Sequence, residues 1–344
     1  MRFMSFVKAP WWTFELATGA KSFLDNPIIG SPALNARGLH VRRVQLAEAM
    51  SDWRRRRLAD LVPPEDRAAY ARDGFICRRD ALPADELAGL RSEIEANLFE
   101  AWEMRQGNAV TRFIPLPPAV LAGLPFLRRF VTGGLFQNTL KYVASTAGDP
   151  IVFLHVVLTV PDVGSPDPQT HFHSDTFQPT AKAWFFLYDV KEEEGPFTYV
   201  PGSHRLTPQR RAFEHEQSLI AADHPDRLHA RGSFRISRED LTSRGFAEPV
   251  SLAVPANTLV VADTHGFHAR GESLRPSVRI GIYGSLRRNP FLPFTGLDPL
   301  LLPGLAGRQG QLHVQIMDLK ERLTGKPTSH RHVGKVKVGE PARI

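Results

Sequence analysis

Short apolar runs separated by turn residues are the feature that most limits the fold of this chain. After Pro118 these runs cover residues 151–160, 183–190, 197–200, 250–253, 258–262 and 278–284, with Gly, Pro, Asn and Asp between them. Many short strands with turn signals predict a closed barrel or a double sheet, and they argue against a parallel α/β sheet.

Helical periodicity dominates the first part of the chain. It predicts helices over 40–61, 65–72, 84–99 and 135–144, a short strand over 75–77, and a helix end at Pro63 and Pro64. The stretch 205–249 is polar and charged and shows no strand pattern. We therefore expect a long insertion there, which acts as a lid or is disordered.

The net charge of +7 is concentrated at the two ends of the chain. Residues 1–60 contain ten Lys/Arg and five Asp/Glu, and residues 326–344 contain five Lys/Arg and one Glu. Such ends suit an anionic partner, for which a membrane surface, a lipid head group and a nucleic acid are the candidates.

Composition excludes several classes of protein. No apolar run approaches the ~20 residues that span a bilayer. Residues 1–14 lack the apolar centre of a secretion signal. The single cysteine, Cys77, excludes a disulfide scaffold and a Cys-rich zinc site, and it fits a reducing compartment.

The segment 171–175, His-Phe-His-Ser-Asp, is the most informative motif. If residues 169–177 form a strand, His173 and Asp175 lie on one face, about 6–7 Å apart. His171 shares that face, so it is an alternative first ligand. Taken alone, the pair is also compatible with an ordinary surface loop.

A third ligand is expected from the segment 263–268, which follows an apolar run and offers His265 and His268. Two imidazoles and one carboxylate leave three coordination positions open. Non-haem Fe(II) needs these positions to bind a cosubstrate together with O₂. Zinc remains an alternative, but a hydrolytic zinc needs an added base, which the spacing does not supply.

Arg275 and Arg279 lie at the start of the last strong apolar run. A buried guanidinium binds a carboxylate through two hydrogen bonds, so it suits a dicarboxylate. 2-Oxoglutarate is such a ligand, because its distal carboxylate needs a cation while its keto-acid end chelates iron.

Four motifs, in this order, resemble the phytanoyl-CoA dioxygenase-like iron(II)/2-oxoglutarate oxygenases. They are His173-x-Asp175, the stretch 194–204 (Glu-Gly-Pro-Phe-Thr-Tyr-Val-Pro-Gly-Ser-His), Asp263 followed by His268, and Arg279 eleven residues after His268. Residues 70–75, followed by 82–94, are also similar to the N-terminal pattern of the family. The resemblance covers roughly residues 65–290.

The resemblance implies that His173, Asp175 and His268 bind the iron. It implies that Arg279 binds the 5-carboxylate of 2-oxoglutarate, with Ser277 as a helper on the same strand face. It also implies a double-stranded β-helix (jelly-roll, cupin-like) core, mainly β with flanking helices. Family members convert 2-oxoglutarate and O₂ to succinate and CO₂ as they oxidise a C–H bond. Asp175 favours hydroxylation, because halogenating relatives replace this carboxylate.

Other candidate residues are expected at turn, surface or core positions, outside the set of iron ligands. The stretch 201–204 is typical of a turn after a strand, so we do not expect His204 to be a ligand. Arg275 is expected at the surface or against the substrate. Trp184 and Phe186 are expected in the core.

The four arginines at 54–57 allow two interpretations, a solvated helix face or a docking surface for anionic lipid. Aromatic residues of the N-terminal segment favour docking, namely Phe3, Phe6, Trp11, Trp12 and Phe14. Indole rings prefer the water–lipid boundary, and each nearby cation adds roughly 1 kcal/mol on an anionic surface. We expect no nucleic-acid partner, because no nucleic-acid module is recognisable.

We therefore expect three regions: a basic aromatic N-terminal segment (1–62), a jelly-roll oxygenase domain (63–290) and a C-terminal extension with a basic tail (291–344). The combination resembles bacterial enzymes that hydroxylate the Kdo sugar of Kdo–lipid A in lipopolysaccharide. This predicts a cytoplasmic protein that is peripheral on the inner membrane. Alternatives are another small or lipid-linked substrate (an acyl thioester or a secondary metabolite), an RNA or peptide hydroxylase, and a non-catalytic binding module on the same fold.

Overall fold

An eight-stranded antiparallel sheet forms the centre of the molecule. The computed structural model describes residues 2–161, 163–298 and 301–344, with side chains from residue 9 onward. In spatial order the strands are β1 (Phe75–Arg78), β8 (Thr258–Asp263), β5 (Ala181–Phe186), β10 (Ser277–Leu286), β4 (Ile151–Thr159), β3 (Ala109–Pro115), β2 (Phe99–Gln106) and β11 (Arg331–Val336). A smaller sheet contains, in order, β7 (Val250–Leu252), β6 (Phe197–Tyr199) and β9 (His268–Arg270).

From β4 to β10 the chain passes back and forth between the two sheets. β4 lies in the large sheet, the chain at His173 pairs with β9 of the small sheet, and β5 returns to the large sheet. β6 and β7 lie in the small sheet, β8 in the large, β9 in the small and β10 in the large. This winding is a double-stranded β-helix, and it confirms the predicted fold class.

Helices lie outside the two sheets, and some of them pack against the large sheet. They are α1 (Arg2–Glu15), α2 (Pro32–Ala36), α3 (Leu39–Arg57), α4 (Pro64–Asp73), α5 (Ala84–Ala96), α6 (Pro118–Leu121), α7 (Pro125–Thr132), α8 (Gly134–Val143) and α12 (Gln309–Thr324). Phe130 and Phe136 of this layer join Phe185 and Ile282 of the sheet in the main core. β8 is buried along its whole length, which explains its unbroken apolar sequence. Among the described helices, none has the length and apolarity to cross a bilayer.

Residues 205–249 form a packed helical layer. They contain α9 (Pro208–Ile220), α10 (Arg227–Ala230) and α11 (Arg238–Ser243). Phe213 and Phe234 from this stretch share a buried cluster with Phe23 and Phe267. The stretch therefore joins the N-terminal segment to the small sheet, and the expectation of disorder is wrong.

The arginine run at 54–57 is only half exposed. Arg54 is 1% exposed and donates to the carbonyl oxygens of Ser145, Pro290 and Leu292. Arg55 is also buried, and Arg56 and Arg57 face solvent. Both interpretations from the sequence are therefore wrong for the first two arginines, because these guanidiniums satisfy buried carbonyl groups.

The C-terminal segment is held against the large sheet. β11 pairs with β2, and the guanidinium of fully buried Arg112 donates to carbonyl oxygens of Val338, Glu340 and Pro341. Arg112 also pairs with Glu103 at 2.6 Å. Lys337 donates to carbonyls at the end of α5. Part of the basic charge at this end is thus used inside the fold.

Candidate metal centre

Backbone pairing brings the three predicted iron ligands together. The amide of His173 donates to the carbonyl of His268 at 2.9 Å, and the amide of His268 donates back at 3.0 Å. The amide of Asp175 donates to the carbonyl of Thr264 at 2.8 Å. Two chain segments almost a hundred residues apart are therefore fixed side by side. The expected strand over 169–177 is reduced to the single bridge at His173, because Pro168 begins a 3₁₀ turn.

The donor atoms of these three side chains form one cluster. Nε2 of His173 lies 3.8 Å from Oδ1 of Asp175, and Nε2 of His268 lies 3.7 Å from Oδ2. One ligand atom from each residue lies within 4.8 Å of the others. This spacing allows the three side chains to share one ion.

The second nitrogen of each imidazole is held by a carbonyl group. Nδ1 of His173 lies 2.8 Å from the carbonyl oxygen of His171, and Nδ1 of His268 lies 2.9 Å from that of Gly266. A carbonyl accepts a hydrogen bond only from a protonated Nδ1. Each neutral ring therefore presents an unprotonated Nε2 to the cluster, as a metal ligand must.

The protonation states also suit a metal. Burial lowers the pKa of His268 to about 4 and the pKa of His173 well below its usual value. Burial opposes ionisation of Asp175, but the charge of Lys182 outweighs it and holds the pKa of this carboxyl well below its usual range. At neutral pH the cluster therefore has two neutral imidazoles and one carboxylate, the donor set of non-haem iron.

Two lysines near Asp175 were not found from the sequence. Nζ of Lys182 on β5 lies 2.6 Å from Oδ2 of Asp175. Lys21, from the segment before α2, donates through Nζ to the main-chain oxygen of Asp175. Burial lowers the pKa of Lys21 to about 8, and the charges of Lys182, Arg287 and Arg235 act in the same direction. Neither lysine belongs to a sequence motif, so no sequence signal could have found them.

A cavity of about 250 Å³ opens beside the cluster between the two sheets. His173, His268 and Lys182 line it together with Arg279 and Tyr283. Its volume lies near the lower limit of small-molecule sites, about 300 Å³, and so suits a small cosubstrate. Trp184 and Phe186, expected in the core, line this cavity as well.

One of the cationic side chains in this cavity has an acidic partner, and another has none in the part of the chain that the structure describes. Arg270 is paired with Asp167 at 2.5 Å. Arg279 donates to the carbonyl of Gly195, but its buried Nε has no hydrogen-bond partner among the described residues. Burial, with the charge of Arg270, lowers the pKa of Arg279 to about 9. Arg279 is therefore a cation available to a bound carboxylate.

Ser277 is two residues from Arg279 on β10, and it is buried. Its hydroxyl lies 3.3 Å from that of Ser273, and Ser277 is not among the residues that line the cavity. A contact of Ser277 with 2-oxoglutarate therefore stays a prediction.

The remaining candidate residues from the sequence lie outside the cluster of donor atoms. His265 is buried with Nδ1 2.9 Å from the carbonyl oxygen of Thr176, so it supports the strand of Asp175 instead of joining the cluster. His171 contributes its carbonyl and not its ring. His204 packs against the ring of Tyr70. Arg275 is half exposed and pairs with Glu194 at 2.6 Å, as expected for a surface residue.

Comparison with known proteins supports the same assignment. Residues 70–233 match the family model described as phytanoyl-CoA dioxygenase (PhyH). This segment is similar to that family. A curated relative, the ectoine dioxygenase of Bordetella bronchiseptica, is 23% identical over 274 residues, which cover 71% of this chain and 82% of the relative.

Solved structures with similar folds include two proteins from nogalamycin biosynthesis. The non-haem α-ketoglutarate-dependent carbocyclase SnoK has 20% identity and a TM-score of 0.43, and the match covers 65% of this chain and 83% of SnoK. The epimerase SnoN, in complex with Fe³⁺, α-ketoglutarate and a nogalamycin derivative, has 21% identity and a TM-score of 0.42, and the match covers 72% of this chain and 97% of SnoN.

The PhyH match over residues 70–233 and the metal-capable cluster support three predictions made from the sequence. These are the phytanoyl-CoA dioxygenase-like family, the class of 2-oxoglutarate-dependent dioxygenase, and iron and 2-oxoglutarate as cofactors. His268 and Arg279 lie beyond the matched segment, and Lys21 lies before it. The candidate site is therefore assembled from more of the chain than the family model covers.

Proposed function

We propose that this protein hydroxylates a C–H bond, with iron(II) held by His173, Asp175 and His268 and with Arg279 bound to the distal carboxylate of 2-oxoglutarate. The observation that carries the proposal is the cluster itself, in which both Nε2 atoms and one carboxylate converge while carbonyl groups hold both Nδ1 atoms. When bound, iron and 2-oxoglutarate supply the oxidation of the substrate by O₂.

The residues of the chain have separate tasks in this scheme. His173, Asp175 and His268 orient the metal from one side. Arg279 supplies a guanidinium whose Nε has no other partner. Trp184 packs against Phe197 with ring centroids 4.4 Å apart, and both line the cavity. This apolar wall excludes water and strengthens the charge interactions of the carboxylates inside.

We further propose that the substrate is the Kdo sugar of Kdo–lipid A. Such a substrate carries acidic groups on a lipid, and this fits a chain of net charge +7. The lysines and arginines around Asp175 provide cationic partners for an acidic sugar close to the metal.

A contact with an anionic membrane surface belongs to this proposal. Trp11 and Phe14 on α1 are 60% and 59% exposed. Trp53 is 43% exposed, and the guanidinium of Arg57 lies 3.7 Å from its ring centroid. Exposed aromatic rings beside cations are suited to the lipid head-group region. Phe3 and Phe6, which also supported this prediction, lie outside the described side chains.

Succinate release tests the enzyme class. We expect the wild-type protein to form succinate from 2-oxoglutarate with Fe(II) and O₂, and His173→Ala to lose both metal binding and succinate formation. Wild-type turnover in His173→Ala would remove this residue from the site. Mass spectrometry of lipopolysaccharide from cells with and without the gene tests the substrate. One added oxygen on Kdo is expected only where the gene is present, and identical spectra would refute the Kdo proposal.

Liposome sedimentation tests the membrane contact. Trp11→Ser combined with Phe14→Ser should reduce binding to anionic liposomes, whereas Leu323→Ser, at a 77% exposed position on α12, should not. These substitutions are better than a deletion of the N-terminal segment, because Phe23 and Lys21 pack inside the fold. Equal sedimentation of all three proteins would exclude the contact.

A further inference from the structure

A second and larger cavity lies against the strand that carries Asp175. Its volume is about 1130 Å³. Its walls come from the N-terminal segment, from Thr176 and Gln178 directly after Asp175, and from residues 287–289 after β10. Lys21 lines this cavity and also donates to the main-chain oxygen of Asp175, so the cavity reaches the backbone of one proposed metal ligand.

The charge of this cavity is only partly compensated. Asp25 lies 3.7 Å from Arg231, and Glu15 accepts a hydrogen bond from Asn26. Arg288 donates to carbonyl oxygens of Thr295 and Gly296.

Two further cations of the cavity are less fully compensated. Among the described residues, neither Lys21 nor Arg287 has a carboxylate within 4.0 Å. The carboxylate of Asp175 attracts the ammonium group of Lys21 from a longer distance, and the charge of Arg287 opposes this attraction. An anion bound between Lys21 and Arg287 would offset the repulsion between them.

The cavity also contains a polar group without a partner. Gln178 is 4% exposed, and its Oε1 has no hydrogen-bond partner among the described residues. A buried amide oxygen without a donor is unfavourable by about 1–3 kcal/mol, so its presence beside the cavity indicates a ligand that donates to it. A hydroxyl group is such a donor.

The segment that carries Lys21 is held in place. Arg43, which is buried, donates to carbonyl oxygens of Leu16, Thr18 and Ala20. Three hydrogen bonds directly before Lys21 fix the backbone that presents its ammonium group. A preorganised cation loses little conformational entropy when an anion binds.

We propose that this cavity binds the substrate, and that Lys21 and Arg287 hold a carboxylate or phosphate group of it while Gln178 accepts a hydroxyl proton. The proposal rests on the function proposed above, because it assigns this cavity to the substrate of that reaction. It names a hydroxylated molecule with an oxyanion as the substrate class, and it assigns Lys21, outside the segment that matches the PhyH model, as a positioning residue. Trp11 and Trp12 border the same cavity and give it an aromatic wall.

The two cavities differ in volume and therefore suit ligands of different size. The cavity at Arg279 has about 250 Å³, and the cavity at Lys21 has about 1130 Å³. The first suits a small dicarboxylate, and the second exceeds the usual upper limit of about 1,000 Å³ for small-molecule sites. A large substrate is therefore expected at Lys21, with only its reacting part near the metal.

Titration calorimetry with simple probes tests the proposal without turnover. The full-length protein is loaded with Mn(II) and 2-oxoglutarate and titrated at constant ionic strength. D-Gluconate is compared with neutral D-glucitol, and glucose 6-phosphate with glucose. We expect at least one anion to bind at least tenfold more tightly than its neutral match. The pair of probes that shows this preference identifies whether the cavity binds a carboxylate or a phosphate group.

Variants assign the effect to Lys21. Lys21→Met and Arg287→Met should each weaken anion binding about 10–100-fold, the usual range for one charge-assisted hydrogen bond. Lys21→Arg should restore most of the affinity, because it keeps the cation. Arg42→Gln, an exposed position on α3, is the matched control. Unchanged anion affinity in Lys21→Met, or equal binding of neutral probes, would overturn the proposal.

The two proposals fail in different ways. A wild-type protein that forms succinate but binds neither anion would refute the substrate site and leave the oxygenase intact. A protein that binds an anion selectively but never forms succinate would refute the oxygenase. Loss of affinity in Lys21→Met with no rescue by Lys21→Arg would assign the residue a structural role and overturn its role in positioning.

Discussion

The ion pair between Lys182 and Asp175 predicts a substitution that strengthens metal binding. Nζ of Lys182 lies 2.6 Å from Oδ2 of Asp175, the carboxylate that is proposed to bind the metal. Binding of a divalent cation must therefore weaken this pair and place a second positive charge near the lysine. Lys182→Met removes both costs, so it should increase the affinity for Mn(II) or Fe(II).

The distance sets the size of the effect. Two unit charges 2.6 Å apart attract each other by about 6 kcal/mol at an effective dielectric constant of about 20, and by about 1.6 kcal/mol in bulk water. Both side chains are about one quarter exposed, so the interaction lies between these limits. The carboxylate has two oxygens and can keep part of the pair when metal binds. We therefore expect metal affinity to rise about 10–100-fold, or about 1.4–2.7 kcal/mol.

The same substitution should weaken 2-oxoglutarate binding. Lys182 lines the smaller cavity, and a lysine released from Asp175 is free to contact a carboxylate there. Lys182→Met should therefore raise the 2-oxoglutarate concentration needed for half-saturation while it lowers the concentration of metal needed. A general loss of folding would weaken both ligands.

Calorimetric titration of the apoprotein with Mn(II), followed by 2-oxoglutarate, measures both changes. Lys191→Met removes an exposed lysine after β5 and serves as the control. If Lys182→Met binds Mn(II) with wild-type affinity or more weakly, the reasoning from the ion pair is wrong. Asp175 would then be available to the metal without any cost from Lys182.

Three further predictions concern the cosubstrate, the C-terminal segment and acid stability. Arg279→Ala should raise the KM for 2-oxoglutarate in a succinate assay at least tenfold, and an unchanged KM would move this role to another cation. Arg112→Met leaves Glu103 buried without its partner, so urea unfolding should show a loss of about 3–5 kcal/mol; a smaller loss would mean that water reaches Glu103. Burial lowers the pKa of His265 to about 4, so the unfolded chain takes up a proton below pH 6.5 and the native state does not. The free energy of unfolding should therefore fall on acidification. Between pH 7 and pH 5, this free energy should fall by about 2 kcal/mol less in His265→Gln than in the wild type. An equal fall in both proteins would contradict this prediction.

The strands and ligands that the sequence predicted share one property, a local pattern. β4, β8 and β10 are apolar over most of their length and are flanked by turn residues. The ligand His173 lies two residues from Asp175, and His268 follows a buried strand. Local apolar runs and short spacings can be read directly from the chain, and here they predicted which strands would carry the site.

Two of the strands that escaped detection contain charged residues that point inward. β2 and β3 contain Glu103 and Arg112, which are fully buried and paired with each other. A charged residue at an inward position interrupts the alternation that identifies a strand. The burial of Arg54 had the same cause, since its carbonyl partners lie far away in sequence at Ser145, Pro290 and Leu292. Only tertiary contacts decide such positions.

The N-terminal segment connects these observations to function. The sequence assigned residues 1–62 to an external surface, yet Phe23 packs into the cluster of Phe213 and Phe267, and Lys21 reaches Asp175. α1 of the same segment carries the exposed Trp11 and Phe14. A partner that binds these aromatic rings therefore contacts the same N-terminal segment whose Lys21 donates to the main-chain oxygen of Asp175. In the two proposals above, one continuous stretch of chain would therefore both contact a lipid surface and place an anionic substrate.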